Sequence, residues 1–235
     1  MKQKNKVAIQ GKLGSFHNIV VNRYFEDDTS LVLCDSFDQT VKELLEENAD
    51  VAVMAIENSI AGSIIPNYAL IDQNNLKIIG EYGLNINHNL MGLDGQSIEE
   101  IDDVFSHPMS LLQCKSFFNN YPHIRLVESE DTAEEALNIS KNQLKRRGAI
   151  ASQEAANMFN LRIYASSIQT IKNNVTRFFI VQNKGSLVPK KQINKASLKF
   201  ILDHKRGSLA AVLNVMSDCY LNLTKIQSLP VIEIP

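Results

Sequence analysis

The chain has 235 residues, of which 24 are Lys or Arg and 26 Asp or Glu, and its formal net charge of −2 lacks the basic surplus of a nucleic-acid binder. Apolar residues make up 44% and charged residues 21%, the profile of a globular enzyme with enough chain for one large core or two smaller ones, and no apolar run approaches the roughly 18 residues of a membrane span. The three cysteines, Cys34, Cys114 and Cys219, are widely spaced, and the five histidines show no HxxxH or HExxH pattern. A reducing cytoplasm is expected, with neither a disulfide framework nor a metal site.

The basic opening Met1–Lys6 leads into Val7-Ala8-Ile9, which predicts a buried strand rather than the apolar core of a signal peptide. Gly11-Lys12-Leu13-Gly14 follows as a tight loop, and Ser15 caps a helix carrying Phe16, Ile19, Val20 and Tyr24 on one side. Such a unit either aims helix N–H groups at a ligand or is only a short connection. GxxG lacks the third glycine of a dinucleotide fingerprint, and Lys12 is not placed like a P-loop lysine. Ser36-Phe37-Asp38-Gln39 predicts a capping box before a helix with Val41, Leu44 and Leu45 inward.

Val51 to Ile56 is a continuous apolar run, as in a strand buried on both faces. Further strands are predicted at Leu76–Ile79, Val104-Phe105, Ala149–Ala151 and Phe178–Val181. Helices are predicted at Ser110–Phe118 and, capped by Asp131-Thr132-Ala133-Glu134, on to about Lys145. The alternation predicts an α/β class with a mostly parallel sheet. Gly185–Lys195 is polar and basic, and reads as a linker. After it, Leu198, Phe200 and Leu202 alternate as a strand, Ser208–Cys219 has helical spacing, and Leu223–Leu229 alternates again. That βαβ unit, at about 40 residues, is too small to stand alone and reads as the opening of a longer module.

Polar groups crowd the ends of two predicted strands, where open α/β sheets bind ligands. Glu57-Asn58-Ser59-Ile60-Ala61-Gly62-Ser63 is either a cradle for an anion or carbonyl or an ordinary turn into the helix beginning near Pro66. Asn173-Asn174-Val175-Thr176-Arg177-Phe178 is either a site, with Arg177 for a carboxylate and Thr176 as a neutral donor, or a polar turn before a strand. In Ser106-His107-Pro108, the adjacent serine and histidine lack a GxSxG elbow and an orienting acid, so a serine-hydrolase triad is set aside. Cys114, flanked by Leu111, Leu112, Phe117 and Phe118, reads as a buried thiol.

Three of these stretches resemble the signatures of prephenate dehydratases: Ile56-Glu57-Asn58-Ser59 with Gly62-Ser63, Ser106-His107-Pro108 with Gln113-Cys114, and Asn173-Asn174 with Thr176-Arg177-Phe178. Gly11–Phe16 and Glu130-Asp131-Thr132-Ala133 resemble two further family segments, although Lys12-Leu13 departs from the usual Pro-acid pair. The resemblance implies two α/β lobes like a type II periplasmic binding protein, residues 1–184, with one lobe at about 1–77 plus 166–184 and the other at about 78–165. It implies a linker at 185–196 and, from 197, the beginning of a ferredoxin-like ACT regulatory domain. The implied activity is conversion of prephenate to phenylpyruvate, carbon dioxide and water, with no cofactor or metal. Arogenate, the aminated analogue, is the alternative substrate, and a non-enzymatic carboxylate receptor the alternative class.

By the resemblance, Thr176, Glu57, Asn58, Ser106 and Gln113 are the catalytic candidates. Glu57 is expected to orient Asn58 or Arg177, since a free carboxylate would repel a dianion. Arg177, Ser59, Gly62, Ser63, Asn174 and Phe178 are the expected substrate contacts. Gly207-Ser208-Leu209 and Gln227-Ser228 match the family's phenylalanine-effector stretches. They depart from it in Ser208 and in Gln227-Ser228-Leu229-Pro230, which lacks both charges of the usual Glu-Ser-Arg-Pro. A homodimer or homotetramer is implied.

Overall fold

The computed structural model describes residues 5–25, 29–183 and 194–229. The chain divides into two units, Met1–Ser186 and Leu187–Pro235.

The first unit begins with β1 (Lys6–Gln10), α1 (Phe16–Tyr24), β2 (Ser30–Cys34), α2 (Phe37–Leu45), β3 (Val51–Asn58), the two-residue β4 (Gly62–Ser63), α3 (Ile65–Gln73) and β5 (Lys77–Asn85). It continues with β6 (Asn89–Gly92), β7 (Asp103–Ser106), α4 (Pro108–Phe118), β8 (Arg125–Glu128), α5 (Thr132–Asn142), β9 (Arg147–Ala151), α6 (Gln153–Met158) and β10 (Arg162–Ala165). The chain then returns as β11 (Val175–Gln182). Among the described residues one sheet has the order β2-β1-β3-β11-β5, with β4 on β3, and the other β10-β6-β9-β7-β8.

These two sheets are the cores of two α/β lobes, as the resemblance implies, and each sheet is mixed rather than mostly parallel. Within the first, β1, β2 and β3 are parallel while β11 runs antiparallel to both β3 and β5. The reason is connectivity: β11 arrives from the other lobe and enters from the opposite end. The lobe boundary also moves, since β5 stays in the first sheet and the chain crosses at 86–88 rather than near residue 77. The return crossing is residues 166–174. Gln169, fully buried, ties the crossings together, accepting from the His88 N–H at 3.0 Å and donating to Asn87 Oδ1 at 3.0 Å.

Core patterning follows the strands. Val51 to Ile56 is buried on both faces, with Val51, Val53 and Ala55 packed towards α1 and Ala52, Met54 and Ile56 among the side chains of α2 and α3. Ser15 caps α1 and Asp131 caps α5 as expected. At α2 only half of the predicted box forms: Ser36 Oγ accepts from Gln39 N, but Gln39 Oε1 accepts from Asp35 N, one residue upstream.

In the second unit a single helix, α7 (Ser208–Asp218), is formed among the described residues. The flanking strands expected at Leu198–Leu202 and Leu223–Leu229 are absent, and Leu198, Ile201 and Ile226 are exposed. A strand needs a neighbouring backbone to complete its hydrogen bonds, and this stretch has none among the described residues. Most of the predicted linker lies outside the described residues.

Candidate active site

The parallel strands of both lobes end on the same cleft. After β1, β2, β7, β8 and β9 the chain turns directly into helices whose N-caps are Ser15, Ser36, His107, Asp131 and Ser152. Helix N-termini carry unpaired N–H groups and a partial positive charge, so this arrangement favours an anionic ligand. A cavity of about 600 Å³ opens between the lobes, with Gly11, Lys12 and Asp35 on one side and His107, Ser129 and Asp131 on the other.

The glycine turn holds the lobes together at this cleft. Gly14, at φ +82°, lies so close to α6 that a Cβ there would meet Ala155 Cα at 3.1 Å and Cβ at 3.2 Å. Its carbonyl accepts the Ser152 hydroxyl at 2.8 Å, while Ser152 also caps α6. Arg23 reaches Glu154 across the same junction at 2.7 Å.

At the first-lobe wall, β3 and β11 lie side by side, and a β-bulge re-aims their polar ends. Phe178 faces Ala55 while Arg177 faces Glu57, which leaves Ile56 as the extra residue. Without it, alternation from Val53 and Ala55 would carry Glu57 to the α1 face. With it, Asn58 falls there, opposite Thr176, and Glu57 goes to the reverse face opposite Arg177.

Asn58 is the hub. Its Oδ1 accepts the backbone N–H groups of Ile60 and Ala61 at 3.0 and 2.9 Å. Its amide nitrogen therefore faces outward and donates to Asn174 Oδ1 at 2.6 Å and Thr176 Oγ1 at 2.9 Å. Asn174, fully buried, donates in turn to Gln113 Oε1 at 2.9 Å, which brings α4 of the second lobe into the network. Gln113 Oε1 also lies 3.0 Å from His88 Nε2. Thr176 Oγ1 thus serves as an acceptor, and its own proton has no acceptor among the described residues. The hydroxyl is half-buried, polarised by an amide donor and left with a proton to donate.

The remaining predicted residues sit elsewhere. Arg177 is on the opposite face of β11, with Nε 2.7 Å from Glu57 Oε1, Nη1 3.4 Å from Glu81, and its guanidinium over the Phe179 ring. The Glu57 contact is ionic more than a directed hydrogen bond, because the Nε–H does not point along it. Glu57 therefore pairs with Arg177, but Arg177 does not share a face with Thr176. Phe178 is 1% exposed and packs on His17 in the core, so it cannot line the cleft. Ser106 is fully buried with its hydroxyl on the Ile150 carbonyl at 2.8 Å, a bond within the second sheet. Ser59 bolts β11 to the turn, accepting from Val175 N at 2.9 Å, and Gly62 and Ser63 form β4, with Gly62 at φ +84°.

Two residues that the sequence did not single out complete the centre: His88 and Gln169. Burial pushes the His88 imidazole down to about 4, against the raising effect of the Gln113 hydrogen bond. Neither residue belongs to a motif with a spacing that carries chemistry.

The prephenate dehydratase family profile matches residues 7–186, spanning both sheets but for Lys6 at the start of β1. The chain belongs to the prephenate dehydratase family. It is 37% identical over 227 residues to arogenate dehydratase 2 of Petunia hybrida, covering 96% of this chain and 57% of that protein. It is 33% identical over 210 residues to a prephenate dehydratase of Methanocaldococcus jannaschii, covering 88% of this chain and 75% of that one. The chain thus spans little more than half the length of several curated relatives it matches. A prephenate dehydratase of Arthrobacter aurescens solved with L-Phe has the same fold, at TM-score 0.82 and 22% identity over 96% of this chain and 76% of that one. Among the described residues no helix is long and apolar enough to cross a membrane.

In the second unit Gly207 is the N-cap of α7 at φ +85°, with Ser208 and Leu209 in its first turn, and Gln227 donates to the Ser228 carbonyl. Apart from the partly covered Ser208, these effector candidates are exposed.

Proposed function

We propose that the protein is a prephenate dehydratase, a lyase that converts prephenate to phenylpyruvate in the formation of phenylalanine. The observation that carries the reading is the Thr176 hydroxyl, which accepts from Asn58 and has no acceptor for its own proton among the described residues, together with a cleft onto which helix N-termini open. In the reaction the bond from the ring to its carboxylate breaks, carbon dioxide leaves, and the electron pair enters the ring. The ring C–O bond breaks as the ring becomes aromatic, and the departing hydroxide takes up a proton and leaves as water. The protein must hold two carboxylates in place and stabilise charge on the leaving oxygen.

Thr176 suits the second task. A threonine is too weak an acid to give its proton away outright, so it assists by donating a hydrogen bond that tightens as the C–O bond stretches. The helix N-termini suit the first task, with backbone N–H groups as donors. Arg177 holds β11 through Glu57 and Glu81 rather than binding substrate.

Arogenate as substrate is the second reading, supported by the 37% identity to a relative named for that activity. Feedback by phenylalanine and assembly into a homodimer or homotetramer belong to the same proposal, supported by the effector-like residues Gly207–Leu209 and by the apolar surface of Ile201, Val215 and Tyr220. Free cysteines Cys34, Cys114 and Cys219 support a cytoplasmic location.

The test is phenylpyruvate formation from prephenate against phenylalanine formation from arogenate, each with and without added phenylalanine. Thr176→Ala is expected to lower kcat by roughly 10²–10³. Turnover of neither substrate by the wild-type protein would favour a binding protein, and near wild-type kcat in Thr176→Ala would remove the threonine from the chemistry.

A further inference from the structure

The hydrogen-bond chain behind Thr176 has only one consistent polarity, and its far end is His88. Backbone N–H groups cannot be acceptors, so Ile60 and Ala61 fix the Asn58 amide with oxygen towards them and nitrogen outward. The atom of Asn174 facing that nitrogen must then be its oxygen, and the Asn174 nitrogen must face Gln113. Gln113 therefore presents its oxygen, and the imidazole atom 3.0 Å from that oxygen must carry a proton. His88 is the Nε2–H tautomer. Its Nδ1 is buried with no partner among the described residues, so the donated Nε2–H is its one side-chain hydrogen bond there.

The placement of these four side chains is what gives the chain a consequence. His88 sits in the first crossing between the lobes, where Gln169 and Ile168 hold its backbone and Phe16 meets its ring edge-on at 5.8 Å. Gln113 is on α4 of the second lobe, Asn174 is in the return crossing, and Asn58 and Thr176 are in the first lobe. The Gln113 oxygen takes one proton from each crossing and is the point where the second lobe touches the relay.

We propose that His88 is a positioning residue for the Thr176 hydroxyl: its Nε2–H braces Gln113 and Asn174 in the polarity that Ile60 and Ala61 set at Asn58, so that the seating of the Asn58 amide against Thr176 depends on the second lobe being docked. This rests on the dehydratase reading above, and the experiment separates the two. His88→Phe keeps a planar ring against Phe16 and deletes the donor, and His88→Leu deletes it with a smaller side chain should the phenyl ring not fit. His88→Gln restores an N–H close to the Nε2 position. Each is checked by thermal melting, then assayed with prephenate and arogenate, alone and combined with Thr176→Ala.

The expected result is a kcat loss of roughly 10- to 100-fold in His88→Phe, the scale of a displaced reacting group, with KM within about threefold and recovery in His88→Gln to within about threefold of wild type. Because His88 acts through Thr176, His88→Phe in the Thr176→Ala background is expected to change kcat by less than about threefold. A folded His88→Phe with kcat within twofold of wild type overturns the proposal, as does an equal loss with and without Thr176. A wild-type protein inactive on both substrates overturns the dehydratase reading and the positioning role together.

Discussion

Gly14→Ala tests how the two lobes are held. The substitution adds one methyl group at φ +82°, where Cβ crowds the following carbonyl at a cost of roughly 1–2 kcal/mol. The same methyl lands 3.1 Å from Ala155 Cα and 3.2 Å from its Cβ, distances that force the turn or α6 to give way. Overpacking of this kind costs about 1–3 kcal/mol. Movement there also stretches the bond from Ser152 to the Gly14 carbonyl. The sum is about 2–5 kcal/mol, a large part of the 5–15 kcal/mol typical of a folded domain. Urea unfolding at unchanged m-value measures it. Ala155→Gly offers an internal control, because it removes the methyl that the new side chain would strike and leaves the close backbone approach and the φ strain. The double variant is therefore expected to be about 1 kcal/mol more stable than the sum of the singles gives, the intrinsic cost of a helical glycine cancelling within the cycle. A loss in Gly14→Ala below about 1 kcal/mol would refute both parts of the reasoning. A full loss with no coupling would show that backbone strain acts alone and that the turn does not bear on α6.

Arg177→Met leaves Glu57 and Glu81 facing one another without the guanidinium, which is expected to destabilise the protein by about 1–2 kcal/mol after allowance for the partial exposure of all three. Its KM is expected to stay within about threefold, because Arg177 lies on the reverse face from Thr176. A tenfold rise in KM would show that Arg177 reaches the substrate. His17 is buried against Phe37 and Phe178, and burial pushes its imidazole down to about 4. With an unfolded value near 6.5, the unfolded chain binds the extra proton between those limits, so stability falls as pH drops from 6.5 to 4, by up to about 3 kcal/mol. His88, pushed down to about 4 in the same way, adds a slope of the same sign, so His17→Phe is expected to remove about half of the total in urea melts at pH 7, 5.5 and 4.5, and an unchanged slope would show that His17 does not contribute.

Which parts of the fold are legible follows from where each stretch finds its partners. Val51 to Ile56 reads correctly because both faces are covered inside one lobe, and Ser15 and Asp131 read correctly because a cap is an interaction over three residues. β2, with four of its five residues only partly buried or exposed, shows no strong pattern, and its pairing with β1 depends on residues 24 positions away. The crossing at 86–88 is misplaced for a similar reason. β5 continues from Lys77 to Asn85 only because β11, about 100 residues later, pairs along its whole length. The strands predicted around α7 are the reverse case. Their alternation is real, but alternation states only that a strand would have one apolar face, not that a sheet edge is there to receive it.

The site is legible as a set of residue types and illegible as a set of directions. Asn58, Gln113, Asn174 and Thr176 meet, because buried or half-buried amides and hydroxyls must find partners. Arg177 is expected beside Thr176 because the two are neighbours in sequence, yet in a strand that adjacency places them on opposite faces. The pairing that matters is across the sheet, and there a single extra residue decides. Ile56 shifts the register so that Asn58 faces Thr176 and Glu57 faces Arg177. In a regular ladder the carboxylate would have come to the α1 face beside Thr176, where it would accept the hydroxyl proton and, under the proposed reaction, repel the dianionic substrate. The bulge therefore does two things at once: it brings an amide donor to the Thr176 hydroxyl, and it moves the charged pair to the other side of the sheet, where it ties β3 to β11.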